Sequence, residues 1–246
     1  MRTLIKGLIR KWGYEVRKIK VLQDTSCSAP YLENPETGIV NLDEKEKRLS
    51  EGGPFEWPDI VALNKTVVTL LGDHKNILEV GCGTGCFAWH AAQDPSRRIT
   101  ASEMDKKALD WAKANRSLPN IQYCSKWLNE FTPNAYDVVV SIDVIEHVKE
   151  YVSFLKDFSK VAPDAIISTP NKDRDASHAE ASPPKYKHHV REWTAGEFYW
   201  ILRTFYKDVK LYSKPDPLKI ECVPINVLSA LTPLIGVCKG SFNCKN

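Results

Sequence analysis

Two hydrophobic rhythms alternate along most of this chain. Short apolar runs come first in each repeat: Ile77-Leu78 with Val80, Arg98-Ile99-Thr100-Ala101, Ile121 to Cys124, Val138-Val139-Val140 and Ala165-Ile166-Ile167. Runs of this length, rich in β-branched residues, suit strands covered on both faces. Between them, apolar positions recur at three and four residues, which predicts helices over 58–71, 86–92, 105–115, 148–161 and 195–204. Two further strands are expected at 208–212 and 234–238, the last pairing antiparallel at the sheet edge. Strand and helix in strict alternation define an α/β fold, a doubly wound, mostly parallel seven-stranded sheet.

The first strand runs straight into a glycine turn, Gly81-Cys82-Gly83-Thr84-Gly85. Glycine reaches positive φ and has no Cβ, so such a turn lets a ligand lie against the backbone at the carboxyl end of a strand. The spacing is G-x-G-x-G. The dinucleotide fingerprint G-x-G-x-x-G and the phosphate loop ending in G-K-[ST] both fail here, because Cys86 follows Gly85 and no lysine comes after it. A tight strand-to-helix turn alone is a weak signal. It gains weight from Glu103, which ends the second strand about 20 residues on, where a carboxylate accepts both hydroxyls of a ribose.

Glu79-Val80-Gly81-Cys82-Gly83-Thr84-Gly85 followed by an acid-ended second strand resembles the class I S-adenosylmethionine-dependent methyltransferases, over roughly residues 55–240. The resemblance implies a Rossmann-like fold with S-adenosylmethionine held by Glu79, Gly81, Cys82, Gly83, Gly85, Glu103 and Met104. It also implies that residues 125–128 border the adenine. Many relatives carry an aspartate near Lys126; here Trp127 offers an apolar face instead, and core packing is its alternative role.

After the fourth strand comes Asp143-Val144-Ile145-Glu146-His147-Val148. This resembles the D-V-I-E-H-V motif of a branch that includes ubiquinone-pathway O-methyltransferases, small-RNA 2′-O-methyltransferases and glycan- or antibiotic-cluster methyltransferases. Ser141, Ile142 and Asp143 would lie against the methionine half of the cofactor. Methyl transfer is an in-line displacement at an already activated carbon, so alignment and exclusion of water carry most of it. A hydroxyl acceptor also needs its proton removed, for which His147 is the candidate base, with Glu146 and His189 beside it. Asp143, Glu146 and His147 at i, i+3 and i+4 would share one face of a helical turn, a set that could hold a hard divalent ion. The preferred reading has no metal, with Glu146 and His147 ordering the loop.

The fifth strand ends in Ser168-Thr169-Pro170-Asn171, and the following segment 172–191 carries five basic residues and three of the six histidines, 178, 188 and 189. A structureless loop of that length is usually functional. The S-T-P-N and H-V-R-E-W-T pieces resemble the same branch, and His189 is the second catalytic candidate, with a structural role as its alternative.

Composition narrows the class. A chain of 246 residues with 43% hydrophobic and 26% charged residues is ordinary for a globular domain. A net charge of +3 does not by itself argue for nucleic acid, and the lack of a basic–aromatic array argues against it as partner. Seven cysteines without C-x-x-C suggest reduced thiols in a cytoplasmic protein. Residues 1–20 set seven cations against the single acid Glu15, with Leu4, Ile5, Leu8, Ile9, Trp12, Val16 and Ile19 at helical spacing. Such a segment lies on an anionic membrane surface or packs on the domain. Residues 1–54 are therefore read as a basic amphipathic helix and linker, with a short helix near 42–50, and 55–246 as the catalytic domain. The apolar stretch 215–232 covers the acceptor pocket or joins residues 1–20 in a membrane-facing surface. The function expected is O-methylation of a small-molecule, glycan or lipid-linked acceptor. RNA 2′-O-methylation and a non-catalytic module that kept the fold are the alternatives.

Overall fold

In the computed structural model the described residues are 57–174, 184 and 189–244. The expectations for residues 1–54, for the short helix near 42–50 and for His178 and His188 lie outside them. Eight strands form one mixed sheet: β1 (Asn76–Val80), β2 (Arg98–Ser102), β3 (Ile121–Cys124), β4 (Val138–Ile142), β5 (Asp164–Thr169), β6 (Tyr206–Ser213), β7 (Val223–Ile225) and β8 (Leu234–Ser241). Their spatial order is β3-β2-β1-β4-β5-β8-β6-β7. Strands β1 to β5 run parallel, while β8 is antiparallel to both its neighbours. The order reverses between β1 and β4, and ligands in open α/β sheets bind at the carboxyl side of such a switch point.

Among the described residues five helices cover the sheet: α1 (Pro58–Leu70), α2 (Cys86–Ala91), α3 (Lys106–Asn115), α4 (Tyr151–Val161) and α5 (Ala195–Arg203). Proline opens α1 where a missing N–H costs nothing. Asp105 caps α3, and Thr194 with Glu197 closes a reciprocal cap on α5. The pleat of β4 shows why its run of valines had to be continuous. Val139 joins a core with Phe154, Phe158 and Phe198 on one face, while Val138 and Val140 join Leu63, Val67 and Phe87 on the other.

Three expectations are corrected. The last strand is an inner one, inserted between β5 and β6, so the edge position falls to β7. Gly236 makes room for it: a Cβ there would collide with Leu202 of α5, so the helix packs directly on bare backbone. The sheet has eight strands where seven were expected, because the stretch 215–232 contributes β7. The helix expected from Val148 begins only at Tyr151, and Ile145–His147 form a separate 3₁₀ turn. Among the described residues all six cysteines are free thiols, and no described helix is long and apolar enough to cross a membrane.

Candidate active site

The glycine turn is fixed from below by β2. The amides of Gly81 and Cys82 both donate to the Ser102 carbonyl, at 2.9 and 3.0 Å. Gly81, Gly83 and Gly85 all have positive φ, at 74°, 53° and 77°. Their surroundings differ. A Cβ on Gly81 would sit 2.6 Å from Val144 Cγ2, and one on Gly85 would strike the Tyr123 hydroxyl, whereas nothing lies within 4 Å of the corresponding point at Gly83. Two glycines therefore serve close packing of the loop, and the third faces open space. Glu103 is 2% exposed. Its Oε2 accepts from the Gly83 amide at 2.7 Å and its Oε1 from the Asp105 amide at 2.8 Å. The acid that ends β2 thus holds the glycine turn and the start of α3 in one arrangement.

Beside this turn lies an open cleft. Gly81, Glu103 and Met104 form one wall, Trp127 and Leu128 another, and Val144, Val148 and Phe154 the third. The walls are largely apolar, with a buried carboxylate at one end, which suits a flat heterocycle joined to a polar sugar. Trp127 is among the lining residues. Lys126 turns its ammonium toward the Phe131 ring, 5.9 Å from the centroid. Glu79 and Cys82 are buried and do not line this cleft; the Cys82 thiol instead donates to the Gly83 carbonyl at 3.8 Å. Ser141, also buried, donates to the Val80 carbonyl at 3.2 Å and ties the ends of β1 and β4 together. Ile142, its neighbour, is half-buried at the carboxyl end of β4.

The segment after β4 does not present Asp143, Glu146 and His147 on one face. Asp143 has φ 52°, a left-handed conformation that breaks the helical spacing. Its carboxylate turns to β5, where Ser168 Oγ donates to Oδ1 at 2.7 Å. Burial pushes the Asp143 carboxyl up, the Ser168 hydroxyl pulls it back, and the charge of Asp59 adds to the rise. The grouping that forms is Glu146, His147 and His189, whose ligand atoms all lie within 4.8 Å of one another. The two imidazoles meet edge to face at 4.9 Å. Glu146 is 1% exposed and accepts from Thr169 Oγ1 at 3.0 Å. Burial raises its carboxyl well above the usual range, and the nearby Asp143 charge raises it further. Its backbone carbonyl accepts the amides of Val190 and Arg191, at 2.7 and 3.2 Å, which brings His189 back to β4.

Residues unforeseen from the sequence hold this group in place. Glu192 Oε1 lies 2.6 Å from His189 Nδ1 and 3.3 Å from Arg174 Nη2, so it orients the imidazole from behind. The i, i+3 spacing of His189 and Glu192 was the available signal. Thr169 and Ser168 sit inside the S-T-P-N piece, but their pairing with Glu146 and Asp143 depends on the β4–β5 register, Ser141 to Ile167 and Ile142 to Ser168.

The fold is that of the class I S-adenosylmethionine-dependent methyltransferases. Residues 78–166 match the model of the "Methyltransferase domain" family. Ubiquinone biosynthesis O-methyltransferase of Vibrio cholerae is 30% identical over 153 residues, covering 55% of this chain and 62% of that protein. The Neisseria meningitidis enzyme of the same name is 32% identical over 108 residues, 40% of this chain and 45% of its own length. The chain thus spans about half the length of the curated relatives it matches. Among solved structures, the methyltransferase domain of bacterial CtHen1 covers 74% of this chain and 99% of its own, at 22% identity and a TM-score of 0.55. The N-terminal domain of EvdMO1, solved with S-adenosylhomocysteine and D-fucose, covers 82% of this chain and 98% of its own, at 15% identity and a TM-score of 0.56.

Proposed function

We propose that the protein transfers the methyl group of S-adenosylmethionine to a hydroxyl of a small-molecule, glycan or lipid-linked acceptor. The observation that carries this reading is the meeting of Glu146, His147 and His189 next to the glycine-turn cleft. The cofactor's adenosine would occupy the cleft between Glu103 and Trp127, with its ribose diol on the Glu103 carboxylate and its methionine half along Gly81 and Ser141 to Asp143. Open space at Gly83 and a two-percent-exposed acid at the cleft end fit that group. S-adenosylmethionine supplies a methyl carbon activated by a sulfonium. The acceptor hydroxyl would approach from the side of His147 and His189. An imidazole there would remove its proton, with Glu192 holding the His189 ring from behind. The named relatives are O-methyltransferases, which favours oxygen over nitrogen as acceptor.

A second reading rests on the same three side chains. One carboxylate and two imidazoles suit a divalent ion, which when bound would lower the acceptor hydroxyl's pKa. The test uses tritium-labelled S-adenosylmethionine and panels of phenolic, glycosidic and lipid-linked alcohols. Glu146→Gln and His189→Ala should bind S-adenosylhomocysteine as the parent does and lose about 100-fold or more in transfer. Equal transfer by these variants sinks the assigned roles. Loss of transfer on chelation and recovery with Mg²⁺ selects the metal reading; indifference to chelation selects the imidazole base.

A further inference from the structure

The glycine turn is gripped from outside the cleft as well as from below. Arg116, just past the end of α3, donates from Nη1 to the Thr84 carbonyl at 3.3 Å. Its guanidinium lies over the Trp111 ring of the same helix, 5.4 Å from the centroid, which steers the long side chain toward the turn. The Arg116 carbonyl in turn accepts the Tyr123 hydroxyl of β3 at 3.0 Å. Burial pushes the Tyr123 phenol up, so the hydroxyl remains a donor. The same hydroxyl fills the place where a side chain on Gly85 would begin. A closed ring results. Arg116 holds Thr84 through its guanidinium and reaches Gly85 a second time through Tyr123. Arg116, Trp111 and Tyr123 do not line the cleft.

These contacts complete a pattern. The Gly81 and Cys82 amides are held by the Ser102 carbonyl, and the Gly83 amide by Glu103. Thr84 and Gly85 are the last two positions of the turn, and Arg116 and Tyr123 reach them. Glu103 also accepts the Asp105 amide at the start of α3, so that helix is tied to the turn at both ends. The arrangement answers a physical need. Glycines at 81, 83 and 85 give an unheld turn many accessible conformations. On the open side, nothing lies within 4 Å of a Cβ placed on Gly83, so the turn has no support there. A ligand that must order the turn binds more weakly than one that finds it already ordered. The ordering therefore has to come from the far side, where Arg116 and Tyr123 stand.

We propose that Arg116 and Tyr123 are positioning residues for the cofactor, holding Thr84 and Gly85 in the conformation that receives it without touching it. The proposal rests on the reading that S-adenosylmethionine lies over the glycine turn, and adds to it two residues outside the cleft. The experiment uses the full chain. It combines titration calorimetry with S-adenosylhomocysteine and S-adenosylmethionine, thermal unfolding, and backbone amide exchange of the peptide spanning 81–88. Arg116→Ala should weaken both ligands about tenfold, the scale of one hydrogen bond from a charged donor. Arg116→Lys should recover part of that loss. Tyr123→Phe keeps the ring against Gly85 and should weaken both ligands about fivefold. The double variant should lose less than the product of the two, because both residues act on one turn. The 81–88 amides should exchange faster in the free variants and regain parental protection once ligand saturates them. Parental affinity in folded Arg116→Ala and Tyr123→Phe overturns the proposal. Weakened affinity with unchanged exchange at 81–88 does so too, as does a loss confined to S-adenosylmethionine, which would mark a charge effect on the sulfonium. If Arg116→Ala fails to fold, Arg116→Lys and Tyr123→Phe decide by the same criteria. A folded parent that binds neither ligand removes the cofactor reading and the proposal together, whereas a binding parent with unaffected variants removes the proposal alone.

Discussion

At the scale of single residues, the three glycines of the turn are chemically identical yet have different jobs, and substitution separates them. Alanine at Gly81 adds both a strained positive φ and a collision with Val144, so it should destabilise the fold by about 1–3 kcal/mol, read from urea unfolding. Alanine at Gly83 carries the strain without the collision. Its methyl would stand in the space assigned to the cofactor. Gly83→Ala should therefore stay nearer the parent in stability while losing at least about tenfold in S-adenosylhomocysteine affinity by calorimetry. If Gly83→Ala unfolds as readily as Gly81→Ala yet binds normally, the cofactor does not lie over Gly83. Glu103 belongs to the same scale. Its spacing from the turn was legible in the sequence, but its bonds to the Gly83 and Asp105 amides were not, because they depend on the turn's final path. The same limit applies to Asp143. Its i, i+3, i+4 relation to Glu146 and His147 is a fact of sequence, and one positive φ cancels its meaning.

At the scale of elements, the runs that are apolar on both sides were readable and the order in which they assemble was not. β1 and β4 announce themselves because a central parallel strand must be apolar throughout. β8 reads equally well as an edge or an inner strand, since its place depends on contacts with β5 and β6 far away in sequence. The candidate grouping shares this origin: Glu146 and His189 meet because the Val190 and Arg191 amides dock on the Glu146 carbonyl. A second junction of elements carries a pH signature. His74, in the link between α1 and β1, places Nε2 3.1 Å from Asp164 Oδ2 at the start of β5. The Asp164 hydrogen bond raises the His74 pKa against the opposing effect of burial. Asp164 is pushed up by burial but lowered overall by His74, the Gly240 amide and Lys239. A raised imidazole pKa contributes stability below its ordinary 6.5, lost as pH rises through the folded value. A lowered carboxyl contributes above its ordinary 3.8, lost as pH falls through the folded value. The pair thus acts most fully between those two values. His74→Gln should cost up to about 1 kcal/mol there, since both groups are partly exposed, and progressively less above neutrality. Unfolding curves of parent and variant across pH check this; a difference that grows with alkaline pH would refute the pairing.

At the scale of the whole molecule, the cleft draws its walls from the β1 turn, the end of β2, the segment after β3 and the start of α4. Neighbouring elements are joined by backbone bonds at only a few points there, such as Gly81 and Cys82 to Ser102 and Glu103 to Cys124. A ligand that touches all four elements binds the assembled fold and not the unfolded chain, so its affinity adds directly to stability. At a hundred times its dissociation constant, S-adenosylhomocysteine should stabilise the protein by about 2.7 kcal/mol. For a chain of this size that corresponds to a rise in melting temperature of roughly 5–10 °C. NAD should give none, because its pyrophosphate requires the third-glycine spacing that Cys86 interrupts. The same scan on Glu103→Gln, which leaves one acceptor oxygen for the Gly83 and Asp105 amides, should show a folded protein with a much smaller ligand-induced rise. Such a result separates the bonds by which Glu103 holds the turn from the ribose contact proposed for it. A folded parent chain whose melting temperature ignores S-adenosylhomocysteine would remove the cofactor from this cleft and, with it, methyl transfer from the molecule.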